Sequence, residues 1–296
     1  MMKCILTVVS ILIVMKVISL KGRAKRNLNT IKHKTAVITG ASSGIGMAFA
    51  KYLAKRGFEL TLVARSKKVL EELQEKLKEY KVSVSIFEAD LSTNAGTNSL
   101  IEYVNKMEKP LGAFFNCAGI THKIPEALVD LPREENENII NLHVMQATHL
   151  AQAINVVFKK QKSGLFVQMA SGLGIVTMPL LSVYAASKTY LITLMRAINE
   201  ESRAFNARFI AACPFWVSTP MTMTKKTTST FIQPETFVSD FFADSWKKTI
   251  VNPHSTHKLV EKMLMAMPEG MRMNKLYADM IGTRRGIIKK LNRMNQ

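Results

Sequence analysis

The sequence predicts an α/β protein, a single-domain doubly wound parallel sheet preceded by a membrane-anchoring helix. Three observations carry that reading. Short apolar runs of strand length alternate with segments of helical period. A glycine-rich turn, Gly40-Ala41-Ser42-Ser43-Gly44-Ile45-Gly46, joins the first run to the first helix. Further on, Tyr184 and Lys188 stand four residues apart, one turn from each other on a helical face. Strand–helix alternation means a parallel sheet with helices on both faces. Right-handed crossovers then bring the strands' carboxyl ends to one edge, where a ligand crevice forms.

The elements follow in order. Cys4 to Leu20 is almost wholly apolar, with Lys16 its one charge. That length is near the lower limit of the ~17–25 residues that span a bilayer. No small-x-small cleavage pattern follows it; Lys21-Gly22-Arg23 does, which argues for a retained anchor over a cleaved signal. A basic block on that side keeps the following domain in the cytosol. A helix lying in the membrane interface is the alternative form of the anchor. The expected organisation is an anchor over 1–20, a basic linker over 21–33, an NADP-binding catalytic domain over 34–250, and a weakly patterned, substrate- or membrane-associated segment of the same domain over 251–296.

Within the domain, Lys34–Thr39 reads as a strand and Gly44 to Arg56 as a helix. Glu59–Ala64 is a second strand, Lys67–Tyr80 a helix, and Val82–Ala89 alternates at period two. Asn98–Met107 reads as a helix, Leu111–Asn116 as a buried strand, and Glu135–Lys160 as one long helix. Leu165–Ala170 and Arg208–Cys213 are further strands, with the Tyr184/Lys188 helix between them. The glycine turn, Asp90, Asn116, Ser171 and Pro214 each fall at or just past a strand end. Thr219–Thr230 reads as a mobile loop over the site. Phe231–Trp246 holds five large aromatics, half expected in the core and half along an apolar channel or against membrane.

Bulk properties narrow the function. A chain of 296 residues, 47% hydrophobic, is long enough for one large core. Cys4, Cys117 and Cys213 are far apart with no CxxC, which excludes a disulfide scaffold and a zinc site and fits a reducing compartment. The charge is +19, from 41 basic and 22 acidic residues. Basic residues gather near both ends, around Lys21–Lys34 and Arg284–Arg293, with no nucleic-acid-binding module. That distribution suits an anionic membrane surface or a polyanionic substrate, not nucleic acid.

The motifs carry redox chemistry. Glycines after a strand let the backbone approach a pyrophosphate, and the helix N-terminus offers N–H groups to it. An enzyme using NAD would carry an acid at the end of the second strand for the ribose hydroxyls. Here Ala64-Arg65 stands there instead, and an arginine pairs with a 2′-phosphate, so NADP(H) is expected. A phenol titrates near pH ~10, and a neighbouring ammonium lowers that value, which makes proton exchange with a carbonyl or alcohol oxygen feasible. Tyr184 and Lys188 therefore suggest a ketone reductase or alcohol dehydrogenase.

Together these residues resemble the short-chain dehydrogenase/reductase family over residues 34 to 250. The match comprises Thr39–Gly46, Asp90-Leu91, Asn116-Cys117-Ala118-Gly119, Asn141, Ser171, Tyr184/Lys188 and Pro214-x-x-Val217-x-Thr219. The resemblance implies a Rossmann-type domain. It implies cofactor contacts from Gly40, Ser42, Ser43, Gly44, Ile45 and Gly46, with Asp90 at the adenine. Asn116, Ala118 and Gly119 would lie under the adenosine ribose, and Pro214, Val217 and Thr219 near the nicotinamide. It also implies a catalytic tetrad of Asn141, Ser171, Tyr184 and Lys188. In it Ser171 and Tyr184 touch substrate, Lys188 grips the nicotinamide ribose, and Asn141 holds a water that relays protons to Lys188.

A narrower resemblance is to the microsomal branch of very-long-chain 3-oxoacyl-CoA reductases and 17β-hydroxysteroid dehydrogenases. It rests on the apolar N-terminus, Ile124-Pro125-Glu126, Leu131-Pro132, Pro214-Phe215 and Pro234-Glu235-Thr236-Phe237-Val238. Cys117 departs from it, standing where that branch usually has a second asparagine. It implies NADPH-dependent reduction of a lipid-like ketone, first a 3-oxoacyl-CoA in fatty acid elongation and second a 17-ketosteroid. It further implies the endoplasmic reticulum membrane, a homodimer and elongation enzymes as partners, and no metal. A catalytically idle NADP-binding membrane scaffold is the reading from another class.

Overall fold

The structure is a computed structural model describing residues 24, 27–223, 227–244, 246 and 248–294. Its centre is a seven-stranded, wholly parallel sheet with the order β3-β2-β1-β4-β5-β6-β7. The strands are β1 (Thr35–Thr39), β2 (Glu59–Ala64), β3 (Val84–Glu88), β4 (Ala113–Asn116), β5 (Gly164–Met169), β6 (Ala207–Ala212) and β7 (Ile250–Val251). The order reverses between β1 and β4, so the crevice at that switch point opens over the carboxyl ends of both.

Period two explains why these runs are strands. Ile38, Phe115, Val167 and Ile210 point to one face of the sheet, and Val37, Phe114, Phe166 and Phe209 to the other; all eight are fully buried. Phe114, Phe166 and Phe209 stack across neighbouring strands, with centroids 5.3 and 5.2 Å apart.

Helices cover both faces: α1 (Gly44–Ala54), α2 (Lys67–Leu77), α3 (Asn94–Asn105), α4 (Arg133–Ile140), α5 (Ala147–Gln161), the short α6 (Leu173–Val176), α7 (Ser182–Glu201), α8 (Pro234–Ala243), α9 (Ser255–Ala266) and α10 (Glu269–Met294). Several differ from expectation. α3 starts four residues early, because Thr93 caps it by accepting from the Gly96 N–H at 3.0 Å. The single helix expected over Glu135–Lys160 is interrupted by a π-helical turn at Asn141–Gln146. Most of the aromatic run is core: Phe237, Phe241, Phe242 and Trp246 are buried, Phe231 is half-buried, and Phe49 of α1 meets Phe115 of β4 and Phe241 and Phe242 of α8.

The end of the expected linker is packed as well. Asn27 Nδ2 donates to the carbonyls of Phe242 and Asp244 at 2.8 Å, and Ile31 is buried. The expected anchor over 1–20 lies outside the described residues, and among those described no helix is long and apolar enough to cross a membrane. Of the expected loop, Pro220–Thr222 forms a short turn boxed by Thr219 and Thr222, while 224–226 lie outside the described residues.

Candidate active site

The cofactor side of the crevice is built from backbone. Gly40 and Gly44 have left-handed φ values of 63° and 53°. A Cβ on Gly40 would lie 2.9 Å from the Ala118 N, and one on Gly46 2.3 Å from the Gly40 O. The turn is thus pressed against both its own helix and the Asn116–Gly119 segment. Helix α1 begins with no side-chain cap at Ser43 and no acid in its first turn, which leaves its N–H groups and dipole for an anion. Ser42 and Ile45 are half-buried and Ser43 is exposed at this turn. Asn116 serves the fold: its Oδ1 accepts from Thr39 Oγ1 at 2.7 Å and its Nδ2 donates to Gln168 Oε1 at 2.9 Å. Thr39 Oγ1 in turn accepts from the Ala118 N–H at 3.1 Å.

Arg65 and Asp90 stand exposed past the ends of β2 and β3. Burial alone would raise the Asp90 carboxyl, but bonds from the Ser92 N–H (2.9 Å) and hydroxyl (2.7 Å), with Arg65's charge, hold it below the usual range. These residues fit a dinucleotide: a glycine turn that lets backbone approach a pyrophosphate, an uncapped helix start, and exposed polar side chains past the ends of β2 and β3.

The other side is built from buried side chains. Ser171 lies two residues past the end of β5; its hydroxyl accepts from the Leu173 N–H at 3.1 Å and acts on the Tyr184 phenol. Lys188, one turn on from Tyr184, donates to the Met169 carbonyl at 3.1 Å, its ammonium 5.5 Å from the phenol ring centre. Ser171, Tyr184 and Lys188 are all buried. Burial pushes the Tyr184 phenol up to about 12, with the Ser171 bond opposing, and pulls Lys188 down to about 7. Sequence reasoning expected the ammonium to lower the phenol. In this site desolvation of the buried phenol wins.

Asn141 does not join this group. Its Nδ2 donates to the Ser92 carbonyl and its Oδ1 accepts from Gln146 Nε2 at 3.1 Å. His143, two residues on in the π turn, stands beside Tyr184 and Lys188 instead, and sequence reasoning missed it. Its Nε2 accepts from the Ile120 N–H at 3.1 Å and its Nδ1 pairs with Ser187 Oγ at 3.0 Å. The tautomer follows: Nε2 is bare, so Nδ1 carries the proton and gives it to Ser187, which donates to the Tyr184 carbonyl at 2.7 Å. Burial, and then the nearby Lys188 charge, keep His143 neutral, well below the usual imidazole range. A Cβ on Gly119 would fall 3.0 Å from His143 Nε2 and 3.6 Å from Lys188 Nζ, so the cofactor turn meets the catalytic helix here.

Pro214, Val217 and Thr219 leave β6 along the same edge. The Pro214 carbonyl accepts from the Gly172 N–H at 2.7 Å, and Val217 pairs in parallel with Ile232. A Cβ on Gly44 would lie 3.0 Å from Thr219 Cγ2, which places Thr219 over the glycine turn.

A parallel sheet with a glycine turn at its switch point and a Ser–Tyr–Lys cluster across the crevice defines a nicotinamide-dependent oxidoreductase. The chain belongs to the short chain dehydrogenase family, whose sequence model matches residues 34–230. It is 26% identical over 236 residues to the very-long-chain 3-oxoacyl-CoA reductase of Homo sapiens, covering 79% of this chain and 75% of the human one. Among solved structures, a 7β-hydroxysteroid dehydrogenase shares the fold with a TM-score of 0.74 at 20% identity, over 82% of this chain and 96% of that one. An alcohol dehydrogenase from the archaeon Thermococcus sibiricus, complexed with 5-hydroxy-NADP, superposes with a TM-score of 0.64 at 25% identity, over 82% and 94%.

Proposed function

We propose that the protein reduces the ketone of a very-long-chain 3-oxoacyl-CoA with NADPH, giving the 3-hydroxyacyl-CoA of fatty acid elongation. The observation that carries this is the likeness to the human reductase over three-quarters of both chains. The net charge of +19 adds support, because the phosphates of coenzyme A are polyanionic. Arg65, an arginine where an NAD-binding acid would otherwise stand, supports the NADPH choice, as does the NADP analogue bound by the archaeal relative.

The nicotinamide supplies the hydride, and the residues of this chain polarise and protonate. Gly40–Gly46 and the start of α1 would hold the pyrophosphate, and Lys188 would bind the nicotinamide ribose. Ser171 donates to the substrate carbonyl and strengthens that bond as charge builds on the oxygen. Tyr184 gives its hydroxyl proton to the same oxygen. A phenol at about 12 is fully protonated at neutral pH, the form a reduction requires.

We place the enzyme at the endoplasmic reticulum membrane with its catalytic domain in the cytosol, from the apolar run Cys4–Leu20 and the basic residues after it. Alkaline carbonate extraction checks the anchor, and full release into the soluble fraction would refute it. The activity is checked with detergent-solubilised protein offered a long-chain 3-oxoacyl-CoA and a 17-ketosteroid, each with NADPH and with NADH. Oxidation of NADPH dependent on the acyl-CoA is expected. Turnover of the steroid alone would overturn the substrate, and cofactor binding without any turnover would mean a scaffold.

A further inference from the structure

Beyond residue 230, where the family match ends, α9 brings a buried histidine against the site. His257 is fully buried. Its Nδ1 accepts from the Phe215 N–H at 3.4 Å, and its Nε2–H donates to the Thr230 carbonyl at 2.9 Å. Those two bonds fix a neutral imidazole in one tautomer. They also join two stretches far apart in sequence, the exit of β6 and the chain returning toward α8.

Phe215 matters because it shapes the crevice wall. A Cβ on Gly172, next to Ser171, would lie 2.3 Å from the Phe215 ring, so ring and serine turn are in contact. Thr230 matters because two residues later the chain pairs with the same segment: the Ile232 N–H donates to the Trp216 carbonyl at 3.2 Å and the Ser218 N–H to the Ile232 carbonyl at 2.9 Å. Phe215 to Thr219 is thus held by Gly172 on one side, Ile232 on another, and His257 beneath.

We propose that His257 is a positioning residue of the ketone site, its neutral ring tying Phe215 to Thr230 so that Phe215–Thr219 stays seated against Ser171 and Gly172. This rests on the ketoreductase reading. A proton added at Nδ1 would face the Phe215 N–H and break the tie. Burial already holds His257 below the usual imidazole value, so the tie survives neutral pH and weakens only as pH falls below the ordinary imidazole range. The nearby charged groups are paired among themselves, and of these His254 pushes the His257 ring down while Asp240 pulls it up. His254, its ring 5.1 Å away, pairs with Asp240 at 2.6 Å; Lys258 pairs with Asp244 at 2.9 Å; and Glu261 accepts from Asn252 at 2.7 Å.

The test uses the full chain with NADPH and a 3-oxoacyl-CoA. His257→Gln keeps one acceptor and one donor at similar separation, and His257→Leu keeps neither. The leucine variant is expected to raise the KM for the ketone about tenfold with kcat within about threefold, and the glutamine variant to restore KM to within about threefold, a tenfold change in KM being ~1.4 kcal/mol. Wild-type KM should rise between pH 7 and 5 while the glutamine variant stays flat, and His254→Gln should keep the rise but displace it in pH, because His254 and its partner Asp240 both act on His257. Equal damage from both variants, or a glutamine variant as pH-sensitive as wild type, would reduce His257 to packing. Should the leucine variant not fold, the pH comparison between wild type and His257→Gln decides. Amide hydrogen exchange over 215–219 is read in parallel and needs no turnover: faster exchange in wild type at pH 5 than at pH 7, absent in the glutamine variant, supports the tie, and no difference overturns it. Absent turnover in wild type would count against the ketoreductase reading alone, leaving the exchange result to judge His257.

Discussion

The two walls of the crevice are made of different material. The β1–β3 wall offers backbone and exposed side chains: glycines that admit no Cβ, an uncapped helix start, and Arg65 and Asp90 in solvent. The β4–β6 wall offers buried titratable groups, with Tyr184 pushed up to about 12, Lys188 pulled to about 7, and His143 held neutral. Binding a pyrophosphate needs N–H groups that folding leaves over at any helix start, so that wall costs little. Moving a proton needs desolvated groups, and desolvating a lysine works against stability. The first wall should therefore respond to mutation through steric fit and cofactor choice, and the second through rate and stability, sometimes in opposite directions.

The largest effect should come from Tyr184→Phe, which removes the proton donor and leaves the ring in place. Turnover should fall roughly a hundredfold to ten-thousandfold, the range for a general acid. NADPH affinity and Tm should stay near wild type, as read by cofactor fluorescence titration and thermal melting. Retained turnover would mean that the proton comes from elsewhere and that the contrast between the walls is misplaced.

Lys188→Met sharpens the contrast because activity and stability should separate. Turnover and NADPH affinity should both fall if the amine holds the ribose as proposed. The cofactor-free protein should become more stable, by roughly 1–4 kcal/mol, the range for replacing buried ionic groups with apolar ones. The pH dependence carries the sign. Between about 7 and the ordinary 10.5, the unfolded chain binds a proton that native Lys188 does not, so wild-type stability rises with pH across that window. Urea denaturation at pH 7 and pH 9 should show this gain in wild type and its loss in the variant.

On the first wall, Ala64→Asp with Arg65→Ala should move preference from NADPH toward NADH, with some loss of Tm because Ala64 is buried. A charge-assisted bond of about 1.5–3 kcal/mol corresponds to a roughly tenfold to hundredfold preference. Steady-state kinetics with both cofactors measure it. Equal use of both by wild type would leave Arg65 a solvated surface charge.

The same division governs what was legible in the sequence. The order of strands and helices and the backbone turn could be read because each rests on a local pattern: period two through Val37 and Ile38, glycines directly after a strand, a tyrosine and lysine one turn apart. His143 could not, because a histidine inside a helical segment has no period of its own. Its partners, Ile120 and Ser187, lie 23 and 44 residues away, and the π turn that aims it left no mark in the apolar pattern. β7 is two residues long, too short to alternate. Helix α10 was hidden by Gly270, Gly282 and Gly286, which lower helix propensity. A cysteine at Cys117 looked harmless in a backbone turn, and burial does keep its thiol protonated, pushed up to about 12.

The smallest expected effect tests where the resemblance and the geometry part. By resemblance, Asn141 holds a proton-relay water at Lys188; in the structure its amide faces the Ser92 carbonyl and Gln146, while His143 fills the space beside Lys188 and Gly119. Asn141→Ala therefore should cost about 1 kcal/mol of stability, the worth of a partly buried hydrogen bond, with kcat changed less than about threefold. His143→Phe keeps a flat ring but removes the acceptor for Ile120 and the donor to Ser187, so it should lower NADPH affinity and kcat together by about tenfold or more. Denaturation and steady-state kinetics on the two variants side by side decide the matter. A large kcat loss in Asn141→Ala with His143→Phe unharmed would restore the relay to Asn141, and would mean that the side chain turns toward Lys188 once the crevice is filled.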